Sequence, residues 1–355
     1  MRKYHFYLFC VVFILAFSAC VKAAASKESS SVENNQQADP IRAEFALNTV
    51  CSITLFDQAK ESVYNDIFNR LNEIENLMSA HLPNTDISRI NAYAGKAPVK
   101  VHSDVFNLIE RALYFAEISG GAFDPTVGPL VNLWGITSEK PRLPSRTEIN
   151  AVLPLINWRN VELDRQNQTV FLKNASMALD LGAIAKGYAA DEVISIIKEA
   201  KIDRAIVDLG GNVATFGVKA DKSPWRVGLQ NPEFGKNNRG AYIGIIPGPA
   251  KTVVTSGVYE RYFEYNGTYY HHIFSPYSGY PASNGLMSVT IVADTSMDAD
   301  ALSTATFVMG YEKGRVLIDS IKGVEAIFVF EDKTIRKTSG LEFILTDSSY
   351  KILTQ

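Results

Sequence analysis

From residue 43 to residue 330, strand-like and helix-like hydrophobic patterns are interspersed without strict β-α-β alternation and without a repeat period. That ordering constrains the fold more than any other feature and gives α+β with mixed sheets. Ala43–Phe56 reads as a strand and Ala59–Ser79 as a helix with Val63, Ile67, Leu71, Ile74 and Leu77 on one face. A second helix opens at Ser103, carries Val105, Leu108, Ile109, Ala112 and Phe115, and stops at Gly120-Gly121. Strands follow at Asn160–Asp164 and Thr169–Lys173, a helix at Ala185–Lys201 and a strand at Arg204–Leu209. Several short strands come next, among them a hairpin of Tyr259–Tyr265 and Thr268–Phe274 turning at Asn266-Gly267. A strand at Leu286–Ala293, a helix from Ser296 to Met309 and a strand at Val324–Phe330 close the order.

The 355 residues suffice for two ordinary domains or one large one. With 46% hydrophobic and 21% charged residues, the chain has a core to bury and is neither disordered nor fibrous. A net charge of −3 without long charge runs excludes a broad electrostatic surface for nucleic acid, so any anion must be held by a local site.

The first twenty residues stand apart. Arg2 and Lys3 precede an apolar run, Phe6 to Phe17, which is too short for a stable membrane span and has the flanks of a secretory signal. It ends in Phe17-Ser18-Ala19-Cys20, which resembles a bacterial lipobox with Phe17 where Leu is usual. The reading is an exported lipoprotein anchored to a membrane through Cys20; the plainer alternative is cleavage among Ala23–Ala25. Residues 21–40 are polar and small, a tether, and residues 41–355 form the folded domain. Beyond the leader and Cys20 only Cys51 remains, in an alternating apolar stretch, so it reads as a buried thiol and the fold rests on its core.

Four segments carry chemistry. Gly121–Leu130 is a loop stiffened by Pro125 and Pro129, in which Asp124 either meets a ligand or caps its own turn. Asp180–Tyr188 feeds through Gly182 into a helix, with Lys186 near the positive dipole end; it is either an anion site or an Asp-capped helix start. Thr295–Thr304 has capping-box-like spacing at Thr295 and Asp298, while Asp300 and Thr304 share a helix face and can share one hard cation such as Mg²⁺. Finally, Thr255-Ser256-Gly257 is followed by His271-His272, adjacent strand residues of which at most one faces a pocket. A histidine there could move a proton near neutral pH.

Taken in order, six segments resemble the FAD:protein FMN transferases of the ApbE family. They are Gly-Ala-Phe-Asp-Pro-Thr-Val-Gly-Pro-Leu at 121–130, Asp-Leu-Gly-Ala-Ile-Ala-Lys-Gly-Tyr-Ala at 180–189, and Asp208–Asn212. Thr255–Tyr262, His272–Pro281 and Ala299–Thr304 complete the set. The resemblance spans about Leu47 to Met309 and implies a T-fold-like architecture. It implies Mg²⁺-dependent transfer of FMN from FAD onto a Thr or Ser hydroxyl of an acceptor protein, with AMP leaving. By matching motif positions, Asp300, Thr304 and the backbone oxygen of Ala183 would ligate Mg²⁺. Asp180 and Lys186 would contact FAD, and Ala122, Phe123 and Asp124 would line its pocket. Leu47, His81 and Ile273 would add flavin contacts, and His272 would take the proton of the incoming hydroxyl.

Two departures bear on this. Ser275 stands where the family usually has Asp, and Leu47-Asn48-Thr49 and His81 replace a more usual Met-Gly-Thr and Tyr. The alternatives are an FAD pyrophosphatase yielding FMN and AMP, and a flavin-binding lipoprotein without catalysis, which would not need the Asp300/Thr304 pair.

Overall fold

Leu47 and Asn48 interrupt what the alternating pattern reads as one strand. Both have left-handed φ, 52° and 56°, and fold the segment into a two-residue hairpin. Its arms are β1 (Ile41–Ala46) and β2 (Thr49–Leu55), paired Ala46 to Thr49. Periodicity missed this because a positive φ on a residue as bulky as leucine leaves no composition signal. The computed structural model describes residues 40–234 and 240–353; the leader, Cys20 and almost all of the tether lie outside the described residues.

The long periodic segments form as read. In α1 (Glu61–Met78), Tyr64, Ile67, Leu71, Ile74 and Met78 are buried at helical spacing. After the short α2 (Asp86–Ala92) and β3 (Val99–Lys100) comes α3 (Ser103–Ile118), which stops before Gly120 and Gly121, both at positive φ. Then follow α4 (Gly128–Trp134), α5 (Arg146–Val152), β4 (Val161–Asp164), β5 (Thr169–Leu172) and α6 (Ala185–Glu199). Strands β6 (Ala205–Leu209), β7 (Asn212–Phe216), β8 (Trp225–Gln230), β9 (Tyr242–Gly248) and β10 (Thr252–Gly257) lead to the expected hairpin. That hairpin, β11 (Tyr262–Tyr265) and β12 (Thr268–His271), turns at Asn266-Gly267 as anticipated but is shorter at both ends. Next are β13 (Leu286–Ala293), α7 (Ser296–Met309), α8 (Tyr311–Asp319), β14 (Glu325–Phe330) and β15 (Thr334–Lys337), ending with β16 (Ile344–Leu345) and β17 (Lys351–Ile352).

Nine strands make the main sheet, in the order β1-β2-β6-β7-β10-β13-β14-β15-β17. Alternate residues sort to its two faces, as a period of two requires. Val289, Ile291, Ala326 and Phe328 join the core beneath α1, α6 and α7. Val292, Ile327 and Val329 instead meet Ile243, Ile246 and Phe343, so β9 of the small sheet β16-β9-β8 packs on the opposite face. Strand β13, covered on both sides, is almost wholly buried and apolar except for Ser288 and Thr290. Cys51 is fully buried in the main core, its thiol donating to the Ala46 carbonyl and pushed up to about 11 by burial.

The start of α7 differs from its sequence reading. Thr295 makes no side-chain cap, and Asp298 pairs with Arg111 of α3 at 2.6 and 2.9 Å. The free amides of Ser296 and Met297 donate instead to the two carboxylate oxygens of Asp191, a residue of α6, each at 2.8 Å. The cap is tertiary, and it fixes α7 against α6.

Candidate active site

Gly187 sets the distance between α6 and α7. A Cβ there would lie 2.2 Å from the Ser296 carbonyl oxygen, so only glycine allows this approach. The closeness lets the Gly187 amide donate to Asp300 Oδ2 at 2.9 Å. Asp300 is 4% exposed; burial raises its carboxyl, and Lys186 and the Gly187 amide pull the other way. One turn on, the Thr304 hydroxyl lies 3.2 Å from Ser256 Oγ, which also meets Ser303 Oγ at 2.8 Å, tying α7 to β10.

The turn before α6 is shaped by Asp180, whose Oδ1 accepts from the Gly182 amide at 2.8 Å and whose own amide donates to the Pro125 carbonyl at 2.9 Å. Gly128 allows the same loop to lie on Ala178, where a Cβ would meet a carbonyl oxygen at 2.7 Å. Asp124 is engaged locally: Oδ1 accepts from the Thr126 amide and hydroxyl at 2.8 and 2.6 Å, and Oδ2 from the Trp158 amide at 3.1 Å. Of its two sequence readings, the local one describes its bonds. Burial nonetheless raises its carboxyl.

These segments surround one cavity of about 240 Å³. All twelve site residues read from the sequence line it: Leu47, His81, Ala122, Phe123, Asp124, Asp180, Ala183, Lys186, His272, Ile273, Asp300 and Thr304. The β1–β2 turn reaches it because the Leu47 amide donates to Glu75 Oε2 of α1 at 3.1 Å. The paired histidines part where the strand ends, His271 being the last residue of β12 and His272 the first beyond it. His271 is buried, its Nε2 3.0 Å from the Ala282 carbonyl and its ring edge-on to Phe307. His272 faces the cavity, with Nδ1 3.2 Å from the Arg261 carbonyl. That carbonyl selects the Nδ1–H tautomer and leaves Nε2 as the acceptor.

One expectation fails in its detail. The His272 ring does not titrate near neutrality: burial first, then the charge of Arg261, the adjacent His271 ring and Lys186, lower it to about 3. The sequence reading also missed Glu260 and Arg261. Both line the cavity, and burial raises the Glu260 carboxyl against the pull of Lys186 and Arg261. Lys186 acts on Asp208, Glu260 and Asp300 alike, so one ammonium serves three partly or wholly buried carboxylates. Glu260-Arg261 lies between β10 and β11, in a connection that the sequence pattern reads as strand from Tyr259; its place inside the Thr255–Tyr262 segment was the available signal.

Among the described residues no group of three or more His, Cys, Asp or Glu side chains is placed to hold a metal ion. Asp300, Thr304 and the Ala183 carbonyl offer oxygen donors only, with a single carboxylate. That donor chemistry fits Mg²⁺, which prefers few protein oxygens and leaves positions to phosphate and water.

Comparison with known proteins agrees with this geometry. A relative from Treponema pallidum (strain Nichols), named FAD:protein FMN transferase, is 38% identical over 84% of this chain and 87% of its own length. One of the same name from Klebsiella pneumoniae (strain 342) is 37% identical over 82% of this chain and 90% of its own. Among solved structures, the ApbE protein of Thermotoga maritima superposes with a TM-score of 0.75 at 35% identity, covering 87% of this chain and 97% of that one. The flavin transferase ApbE from Vibrio cholerae gives 0.73 at 26% identity, with the same coverage. With the ApbE family profile matching residues 47–328, the chain belongs to the ApbE family.

Proposed function

We propose that this protein transfers FMN from FAD to a Thr or Ser hydroxyl of an acceptor protein, releasing AMP, with Mg²⁺ as cofactor. The observation that carries the reading is the composition of one cavity wall. Apolar Leu47, Ile74, Met78, Phe123 and Ile273 suit a flavin ring, while Lys186, Arg261 and the oxygens of Asp300, Thr304 and Ala183 suit a diphosphate and its cation.

Phosphoryl transfer of this kind asks for charge neutralisation and alignment. A bound Mg²⁺ would supply Lewis-acid polarisation of the phosphate oxygens, held by Asp300, Thr304 and the Ala183 carbonyl. Lys186 and Arg261 offset the negative charge of the diphosphate. His272, neutral and with Nε2 bare, receives the hydroxyl proton; the arriving diphosphate offsets the cations that depress the ring and so strengthens it as a base.

The location reading belongs to the same proposal. Anchored by a lipidated Cys20 and spaced by residues 21–40, the domain would work outside the cytoplasm at a membrane surface. Among the described residues no helix is long and apolar enough to cross a membrane.

The test is intact mass spectrometry of a Thr- or Ser-bearing acceptor incubated with the protein, FAD and Mg²⁺. An acceptor heavier by one FMN phosphoester, absent when EDTA is added, is the expected result. Free FMN and AMP with an unmodified acceptor would assign a pyrophosphatase instead.

A further inference from the structure

Asn212, the first residue of β7, lies outside the cavity and is 1% exposed. Its Oδ1 accepts from the Ser296 hydroxyl at 2.6 Å, while its Nδ2 is buried with no hydrogen-bond partner among the described residues. An unpaired buried donor costs folding energy that an apolar side chain of the same size would not. What the position supplies is therefore the accepting oxygen, and through it a hold on Ser296. The Ser296 hydroxyl also accepts from that of Thr252 at 3.0 Å, so this chain of bonds joins the start of α7 to both β7 and β10.

Ser296 is fully buried and stands one turn before Asp300 and two before Thr304, along one helix face. The neighbouring strand matches that spacing. Thr252 and Ser256 point to one side of β10, with Val254 of the main core between them, and four residues of strand span ~13 Å. Eight residues of helix span ~12 Å. Each end of the face thus meets a β10 hydroxyl, Ser296 at Thr252 and Thr304 at Ser256. Two contacts with one strand fix the register of α7 along β10 but leave it free to roll about its own axis. The Asp191 cap acts on amides that point along that axis. Asn212, one strand over from Thr252, holds Ser296 from the side.

We propose that Asn212 is a positioning residue: acting through Ser296, it sets the roll of α7 so that the Asp300 carboxylate stays against the Gly187 amide and turned to the cavity. The consequence for Mg²⁺ rests on the cation-site reading; the geometry does not. Gly187 lies in the first turn of α6, where an amide has no intrahelical acceptor, and its bond is to Asp300. Exchange of that amide with solvent deuterium therefore reports the position of Asp300 without metal, flavin or turnover.

Amide exchange of Gly187, followed by NMR on protein free of FAD and Mg²⁺, tests this. In Asn212→Ala and in Ser296→Ala the Gly187 amide is expected to exchange about threefold to tenfold faster, with the β13 amides unchanged within about twofold. The double variant should be no faster than the quicker single one, since both remove the same contact. Ser296→Ala deletes one oxygen and keeps the test available if Asn212→Ala does not fold. Unchanged Gly187 exchange, an acceleration shared equally by β13, or effects that multiply in the double variant would overturn the inference. The same variants should need about threefold to tenfold more Mg²⁺ for half-maximal AMP release, with the saturated rate within about twofold. Faster Gly187 exchange with an unaltered Mg²⁺ requirement would support the positioning and overturn the cation reading of Asp300 instead.

Discussion

Asp300 illustrates what a sequence yields at the scale of single residues. Its spacing from Thr304 is enough to place both on one face of α7. Burial, which raises its carboxyl, depends on α6 and is not written in the local sequence. Asp300→Ala removes the only carboxylate of the proposed cation site and is expected to lower AMP formation by on the order of 10²–10⁴. Normal release by a folded variant, checked by circular dichroism, would remove Asp300 from that role. His272 makes a second residue-scale prediction. Because its folded value is depressed to about 3, the ring stays neutral as pH falls from 9 to 5.5. NMR of the FAD-free protein should therefore show no His272 titration in that window. His272→Ala should lower kcat/KM without altering the shape of its acidic side. A His272 midpoint near 6.5 would contradict the environment described. Glu260 and Arg261 were illegible as site residues because the pattern reads them as part of a hairpin strand from Tyr259, whereas the strand begins only at Tyr262 and leaves both in the connection that faces the cavity.

Elements differ in how far they announce themselves. The 18-residue α1 and the 14-residue α7 were readable from apolar spacing and flanking residues, while the seven-residue α2, α4 and α5 are too short to establish a period. The β1–β2 turn went unread because its first position is leucine rather than glycine or asparagine. The capping-box spacing at Thr295 misled for a related reason: Arg111 and Asp191, from distant elements, compete successfully for those groups. The contact between α6 and α7 gives the prediction at this scale. Gly187→Ala introduces a methyl 2.2 Å from the Ser296 carbonyl, which forces the helices apart and lengthens the bond to Asp300. Overpacking of this kind costs about 1–3 kcal/mol, and it should also raise the Mg²⁺ concentration for half-maximal activity. Urea unfolding reads the first effect and Mg²⁺ titration of AMP release the second; an unaltered midpoint would show that the helices have room to spare.

For the whole molecule, the class of fold was legible and the strand order was not. Interspersed patterns without alternation gave α+β, but pairing of β10 with β7 and β13, or of β15 with β17, joins segments far apart in the chain and leaves no local trace. Five of the six motif segments line the cavity, all but Asp208–Asn212, which is why short stretches from several elements were legible as a set. Location gives a prediction at this scale: Cys20→Ser should move the protein from the membrane fraction to soluble or uncleaved forms, read by fractionation and N-terminal mass. A mature wild type with an unmodified N-terminus beyond Cys20 would contradict the anchor. The central claim is that FMN passes from FAD to a protein hydroxyl, and a single-turnover quench tests it most directly. With enzyme in excess over FAD and acceptor present with Mg²⁺, AMP and FMN-modified acceptor should form together in equal amounts, with no free FMN. AMP formed in step with free FMN, while the acceptor stays unmodified, would contradict it.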